Sequence, residues 1–284
     1  MNDQNNSPVW FITGCSSGLG HALALRALAR GHRVVATARQ PHALADLVAS
    51  YPAHCRAFAL DVTLPDQVQA VVAEAASAFG RLDVVVNNAG YGLVGALEEL
   101  GDEQITRNFK TNFFGALRVI RAALPVLRAQ GSGHIVNISA AAVISNYAGF
   151  SIYGATKWAL EGASEALAAE VRPLGLKVLL VQPGPFRTRF LTRSLEKADR
   201  VMADYAPTSG KFARYLESMD GKQAGDPEKA AEAIIAAVLS DRPPLRLVLG
   251  KYATDKSRKK IAVAQRELDA WSAVGEPTDF SPAG

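Results

Sequence analysis

Seven short, almost uninterrupted apolar runs recur along this chain, each separated from the next by a longer stretch, and few folds accommodate that rhythm. The runs are Val9–Thr13, Arg33–Thr37, Arg56–Leu60, Asp83–Val86, His134–Ile138, Lys177–Val181 and Leu245–Leu249. β-Branched residues are frequent in most of them, and polar residues do not alternate regularly with apolar ones. That is the pattern of strands covered on both faces, as in a parallel sheet. Between them, Leu19–Arg30, His42–Ser50, Pro65–Phe79, Glu103–Gln130, Tyr153–Arg172 and Pro227–Leu239 have helical period and length. Parallel strands require crossovers, and helices supply them. The predicted class is therefore α/β, a doubly wound parallel sheet of about seven strands with helices on both faces. Gly31 and Gly80 close helical runs, where a left-handed cap belongs.

The rhythm breaks once. From Gly184 to Gly225 no strand is evident, and Pro, Gly and charged residues are mixed with Phe186, Phe190, Leu191, Phe212, Tyr215 and Leu216. A long insertion after a strand's carboxyl end lies over the ligand crevice of such sheets, so 184–225 reads as a substrate lid. Residues 9–250 then form one domain, after a flexible segment 1–8 and before a C-terminal helix and tail over 251–284. Net charge is +4, and the one basic run, Lys256-Ser257-Arg258-Lys259-Lys260, reads as a solvated helix face rather than a nucleic-acid patch. Cys15 and Cys55 have no disulfide or metal spacing, and the five histidines show no ligand pairing, so no metal is expected. The polar, acidic start and the lack of an apolar run near the ~20 residues that span a bilayer lead to a cytoplasmic expectation, without membrane or nucleic-acid partners.

The first strand runs into Thr13-Gly14-Cys15-Ser16-Ser17-Gly18-Leu19-Gly20 and then a helix. Glycines there let the backbone approach a pyrophosphate seated on the helix N-terminus, and Ser16 and Ser17 add hydroxyls. Further on come Asp61-Val62 after the third run, Asn87-Asn88-Ala89-Gly90 after the fourth, Asn112, Tyr153-x-x-x-Lys157, and Pro183-Gly184-x-x-x-Thr188. Taken in order, these motifs resemble the short-chain dehydrogenase/reductase family over residues 9 to 250. The Tyr-Gly-Ala-Thr-Lys-Trp-Ala-Leu-Glu-Gly run and the segment Pro227 to Gly250 look most like its branch containing steroid and retinol dehydrogenases. The resemblance implies a Rossmann-type sheet and a nicotinamide cofactor held by Gly14, Ser16, Ser17, Gly18, Leu19 and Gly20. It adds Asp61 and Val62 at the adenine, Asn88, Ala89, Gly90, Tyr153 and Lys157 at the ribose and nicotinamide half, and Pro183, Gly184, Phe186 and Thr188 beyond.

The end of the second run bears on which nicotinamide. An acidic residue there grips both ribose hydroxyls and repels a 2′-phosphate. Here Ala38 takes the acidic position and Arg39 follows, and a guanidinium holds phosphate by charge-assisted hydrogen bonds. NADP(H) is the preferred cofactor on this reading. NAD(H) stays open, because the glycine-rich turn contains no second basic residue.

Reducing a carbonyl leaves an alkoxide that needs a proton. Tyrosine's ordinary pKa of about 10 makes it a poor base near neutrality. Lys157 lies one helical turn after Tyr153, and an ammonium there favours the phenolate. Bringing that pKa near neutrality corresponds to about 4 kcal/mol. By resemblance, Lys157 also binds the nicotinamide ribose, and Asn112 holds a water that extends the proton path. One element departs from the family pattern. The serine that polarises the substrate carbonyl should stand thirteen positions before the tyrosine, at residue 140, which is alanine. Ser139 is one position early, and neighbouring strand residues face opposite ways. Three readings stay open: a bulge turns Ser139 into the site, Ser145 or Tyr147 supplies the hydroxyl, or the donor is missing. The first is preferred, giving Tyr153, Lys157, Asn112 and Ser139 as the catalytic set.

Leu93, Val94, Ile144, Tyr147, Phe150, Phe186 and Phe190 are the candidate substrate contacts, pointing to a hydrophobic ketone, aldehyde or secondary alcohol. Arg187, Arg189 and Arg193 are the alternative, anionic contacts. Helices Glu103–Gln130 and Tyr153–Arg172 are apolar on more than one face, and the resemblance implies that they pair in a homodimer or homotetramer. The competing function is a non-catalytic NADP-binding sensor or scaffold, favoured only by Ala140.

Overall fold

The computed structural model describes residues 7–280; the expectations for 1–6 and 281–284 lie outside the described residues. Each of the seven apolar runs forms a strand, and two short strands join them: β1 (Val9–Ile12), β2 (Arg33–Ala38), β3 (Cys55–Ala59), β4 (Val84–Asn87), β5 (Gly92–Val94), β6 (Gly133–Ile138), β7 (Leu176–Pro183), β8 (Leu195–Lys197) and β9 (Arg246–Leu249). The helices are α1 (Gly18–Ala29), α2 (Ala45–Ser50), α3 (Pro65–Phe79), α4 (Asp102–Phe109), α5 (Ala116–Gln130), α6 (Ser151–Val171), α7 (Phe190–Arg193), α8 (Ser209–Ser218), α9 (Pro227–Val238) and α10 (Lys251–Gly275).

A seven-stranded sheet runs β3-β2-β1-β4-β6-β7-β9 with every neighbouring pair parallel. This is the Rossmann-type arrangement. Strand alternation shows why the runs lack polar positions. Trp10 and Ile12 of β1 pack in one core with Leu23, Leu47 and Ile234. Val9 and Phe11 pack in the opposite one with Val72, Leu127 and Val171. Both faces are apolar because both are covered, and each large side chain so buried contributes about 1.5–3 kcal/mol. Local signals agree with the packing. Pro65 starts α3 and Gly80 ends it at φ 74°. Pro227 starts α9, whose cap Asp226 accepts from the Glu228 N–H at 2.8 Å.

After β3 the chain returns to the far side of β1, so β1 and β4 are neighbours from which it winds in opposite directions. Their carboxyl ends leave a crevice, the usual ligand position of open α/β sheets.

Two expectations change. The helix predicted over Glu103–Gln130 is two helices joined by a π-helical stretch, Lys110–Gly115. A Cβ on Gly115 would stand 2.6 Å from Val62 Cγ2, so the stretch lies hard against the loop after β3. Such widened turns recur at functional sites, and this one carries Asn112. The segment 184–225 does contain a strand: β8 pairs in parallel with β5. Three residues, Leu-Glu-Lys, are too few to show a period, and only the tertiary partner defines the strand.

Candidate active site

The glycine-rich turn leaves β1 at the crevice. Gly14 and Gly18 have φ of 72° and 63°, conformations costly for other residues. A Cβ on Gly14 would sit 3.0 Å from Ala89 Cα, and one on Gly20 only 2.3 Å from Asn88 Nδ2. The turn is therefore packed against the end of β4. Asn88 Nδ2 donates to the carbonyls of Thr13 (2.9 Å) and Gly14 (3.0 Å). Thr13 Oγ1 accepts from the Asn88 and Ala89 N–H groups at 2.9 and 3.0 Å. Asn88 Nδ2 and Thr13 Oγ1 thus shape the turn. Thr13 was passed over in the sequence reading, although it stands directly before the first glycine.

A cavity of about 840 Å³ opens over this turn. Gly14, Ser16, Ser17, Gly18 and Leu19 line it, as do Ala38 and Arg39 at the end of β2, Asp61 and Val62 after β3, and Asn88, Ala89 and Gly90 after β4. Pro183, Gly184, Phe186 and Thr188 close it after β7. Gly20 is not in the lining; it is the contact behind it. Asp61 turns one oxygen to the Thr63 N–H (2.8 Å) and hydroxyl (2.7 Å), which fixes the loop. The start of α1, left-handed glycines and an exposed guanidinium on one wall suit an extended, phosphate-bearing ligand. A nicotinamide dinucleotide with a 2′-phosphate fits this donor set.

Tyr153 and Lys157 line the same cavity from the first turns of α6, and both are buried. Burial pushes the Tyr153 phenol well above its usual range and holds the Lys157 ammonium down, to about 8. The Lys157 Nζ donates to the Ile138 carbonyl at 2.8 Å. In this arrangement desolvation outweighs the lowering of the Tyr153 pKa expected from Lys157.

Asn112 is buried behind Gly90, where a Cβ would come within 2.8 Å of Asn112 Oδ1 and 3.5 Å of Lys157 Nζ. Its Oδ1 accepts from the Tyr91 N–H (2.9 Å), and its Nδ2 donates to the Tyr91 carbonyl (2.8 Å). The amide thus pins the chain after Asn-Asn-Ala-Gly beside Lys157.

Ser139 reaches the cavity wall, but its hydroxyl is engaged elsewhere. Its hydroxyl donates to Glu161 Oε1 at 2.7 Å, and that carboxylate also accepts from Gln182 Nε2 (2.7 Å) and Arg246 Nε (3.0 Å). Ala140, next along, packs with Tyr153, Phe150 and Val94 instead. The strand keeps its ordinary alternation, so the bulge favoured from sequence does not form. Glu161 was missed; the available signal was an acid one turn beyond Lys157 on the same helical face. Ser145 is not in the cavity wall, whereas Tyr147 is.

Past Tyr153 the cavity is aromatic. Phe150 meets Tyr153 at 5.0 Å between ring centres, Phe212 stacks on Tyr147 at 4.9 Å, and Phe190 lies 6.0 Å from Tyr153. The Tyr147 hydroxyl bonds that of Tyr252, from the start of α10, at 2.8 Å. Of the expected apolar contacts, Tyr147, Phe150, Phe186 and Phe190 line the cavity. Leu93 and Val94 are core, and Ile144 is outside the lining. Arg193 lines it, while Arg187 donates to the Gln223 carbonyl. Cys15 and Cys55 are buried free thiols, and burial raises Cys15 to about 12, which makes it inert. Among the described residues no group of three potential metal ligands occurs, and no helix is long and apolar enough to cross a membrane.

The family model for short chain dehydrogenases matches residues 8–199. Oxidoreductase BOA17 of Botryotinia fuckeliana is 38% identical over 265 residues, covering 93% of this chain and 96% of that protein. A short-chain dehydrogenase from Streptomyces avermitilis of known structure is 42% identical, with a TM-score of 0.91, covering 98% of this chain and 100% of the other. ElxO, solved with NADP bound, is 28% identical with a TM-score of 0.71, covering 86% of this chain and 96% of its own.

Proposed function

The chain belongs to the short-chain dehydrogenase family, an oxidoreductase acting on CH–OH or C=O groups, and from that premise we propose that it is NADP(H)-dependent, with NAD(H) a weaker substitute, and that its substrate is a hydrophobic ketone, aldehyde or secondary alcohol. One observation carries the reading: Tyr153 and Lys157 share a cavity with the glycine-rich turn and Arg39. Gly14, Ser16, Ser17, Gly18 and Leu19 hold the pyrophosphate, Arg39 the 2′-phosphate, and Asp61 and Val62 the adenine. Asn88, Ala89, Gly90, Pro183, Gly184, Phe186 and Thr188 frame the nicotinamide half. The cofactor supplies or accepts the hydride. NADP bound to ElxO supports this reading alongside Ala38 and Arg39.

Tyr153 gives its phenolic proton to the alkoxide oxygen in reduction and takes it back in oxidation. Its high pKa without ligand suits the proton donor, since the phenol stays protonated across the physiological range. The Lys157 ammonium lowers the cost of the phenolate formed when that proton leaves. Asn112 holds the Tyr91 turn next to Gly90, which packs beside Lys157. No serine hydroxyl shares the substrate oxygen, because Ser139 is held by Glu161. The aromatic wall of Phe150, Phe190 and Phe212 excludes water and favours an apolar substrate body. The steroid- and retinol-type branch, read from the run after Tyr153, agrees with such a body.

A panel of ketones, aldehydes and secondary alcohols, followed by NADPH absorbance, tests this. Turnover of apolar members, absent in Tyr153→Phe, is expected. The missing serine is the one observation that favours a cofactor-binding sensor. NADPH binding by fluorescence with silence across the whole panel would establish that reading instead.

A further inference from the structure

The C-terminal helix α10 is anchored only at its root. Ala253 is its one buried residue, and the Lys256 ammonium sits 3.1 Å over the Tyr147 ring. From Arg258 onward the helix leaves the domain, and all but Val263 and Ser272 are exposed up to Gly275. A helix so solvated lacks the tertiary packing from which most helical stability comes. Yet Ile261, Ala264, Leu268, Trp271 and Gly275 recur at alternating three- and four-residue spacing, the a/d pattern of a helix–helix seam. Ile261, Leu268 and Trp271 are 69%, 64% and 68% exposed. Side chains of that size in one stripe mark an interaction surface.

Charge selects the occupant. The stretch before Arg266 is basic, with Lys251, Lys256, Arg258, Lys259 and Lys260 against Asp255, and the stretch after it carries Glu267, Asp269, Glu276 and Asp279 with no base. A parallel copy would set like charge on like. An antiparallel copy sets the basic stretch on the acidic one at both ends, as a two-fold axis requires. An anionic lipid surface fits less well, because Glu267 and Asp269 flank Leu268 and Trp271. We propose that α10 pairs antiparallel with α10 of a second copy of this chain, with the two-fold axis near Arg266. Ile261 of one copy then packs on Trp271 of the other, and Ala264 on Leu268. This surface is separate from the faces of α5 and α6, and it gives the basic run of the sequence a role that the active site does not.

Light scattering during size-exclusion chromatography of the full-length protein, with NADPH binding as a check of folding, tests the pairing. The double substitution Leu268→Glu, Trp271→Glu is expected to halve the particle mass while NADPH still binds. Gln265→Cys, near the axis, is expected to give a disulfide-linked dimer under oxidation. Ser257→Cys is expected not to, since its two copies would lie roughly 27 Å apart. An unchanged mass in the double variant overturns the pairing. Cross-linking through Ser257→Cys but not Gln265→Cys overturns its antiparallel sense. Flotation of the wild type, but not the double variant, with phosphatidylserine vesicles, at equal particle mass without them, overturns it in favour of a lipid surface.

Discussion

The end of the cavity proposed for the cofactor and the end proposed for the substrate are built differently. The cofactor end is made where strands stop: the turn after β1, Arg39 after β2, Asp61 after β3 and Asn88 after β4. Backbone and short side chains form it, and much of its polar capacity holds the turns themselves. The substrate end is made of side chains from segments far apart in sequence, namely Tyr147 and Phe150, Phe190, Phe212 and Tyr252. Two of its hydroxyls, those of Tyr147 and Tyr252, are bonded to each other. A site of this kind recognises its cofactor by geometry that the sheet imposes and its substrate by a wall that can be exchanged without disturbing the sheet.

The sharpest way to break the comparison is at the junction of the two ends. Tyr153→Phe is expected to lower kcat by about 10³, the scale of general acid–base catalysis, with NADPH affinity retained. If kcat instead falls less than tenfold in stopped-flow turnover, the proton comes from elsewhere. At the cofactor end, Arg39→Ala is expected to raise the KM for NADPH about 30-fold, on the scale of a charge-assisted hydrogen bond, and to leave NADH nearly unchanged. Equal effects on both would remove the 2′-phosphate from the picture.

At the substrate end, Ala140→Ser places a hydroxyl among Tyr153 and Phe150, and about a tenfold gain in kcat is expected from the extra donor. A loss of rate would show that the apolar wall matters more than the missing donor. Lys157→Met sharpens the boundary from the side of stability. Its folded pKa, about 8, is below that of the unfolded chain, so the buried ammonium destabilises the cofactor-free protein most below pH 8 and progressively less above it. The variant should be more stable by about 3 kcal/mol at pH 7 and by under about 1 kcal/mol at pH 10, read from urea midpoints. Ser139→Ala is the smallest: turnover within about twofold, and about 1–2 kcal/mol of stability lost with the bond to Glu161.

These differences also explain what could be read before folding. The inner strands were legible because each is buried on both faces, which leaves a continuous apolar run, the partly exposed edge strands β3 and β9 because they keep the same rhythm, and Tyr153, Lys157 and the glycine-rich turn because their spacings follow from one helix and one turn. The fate of Ser139 was not. Whether strand β6 bulges depends on Glu161, Gln182 and Arg246, which come together only when α6, β7 and β9 pack. β8 was hidden for a similar reason, since its partner β5 is about a hundred residues away. Tyr252 reaches the cavity only through the direction in which α10 leaves β9.

The Asn88 amide that clasps Thr13 and Gly14 has a consequence in time. The bonds that shape the turn join residues 74 to 76 positions apart. During synthesis the first strand and helix therefore emerge well before the residues that close their junction. Nucleotide-binding competence is a non-local, late event in folding, gained only when the fourth strand docks, and a nascent chain ending near residue 60 cannot compete with the finished protein for cofactor.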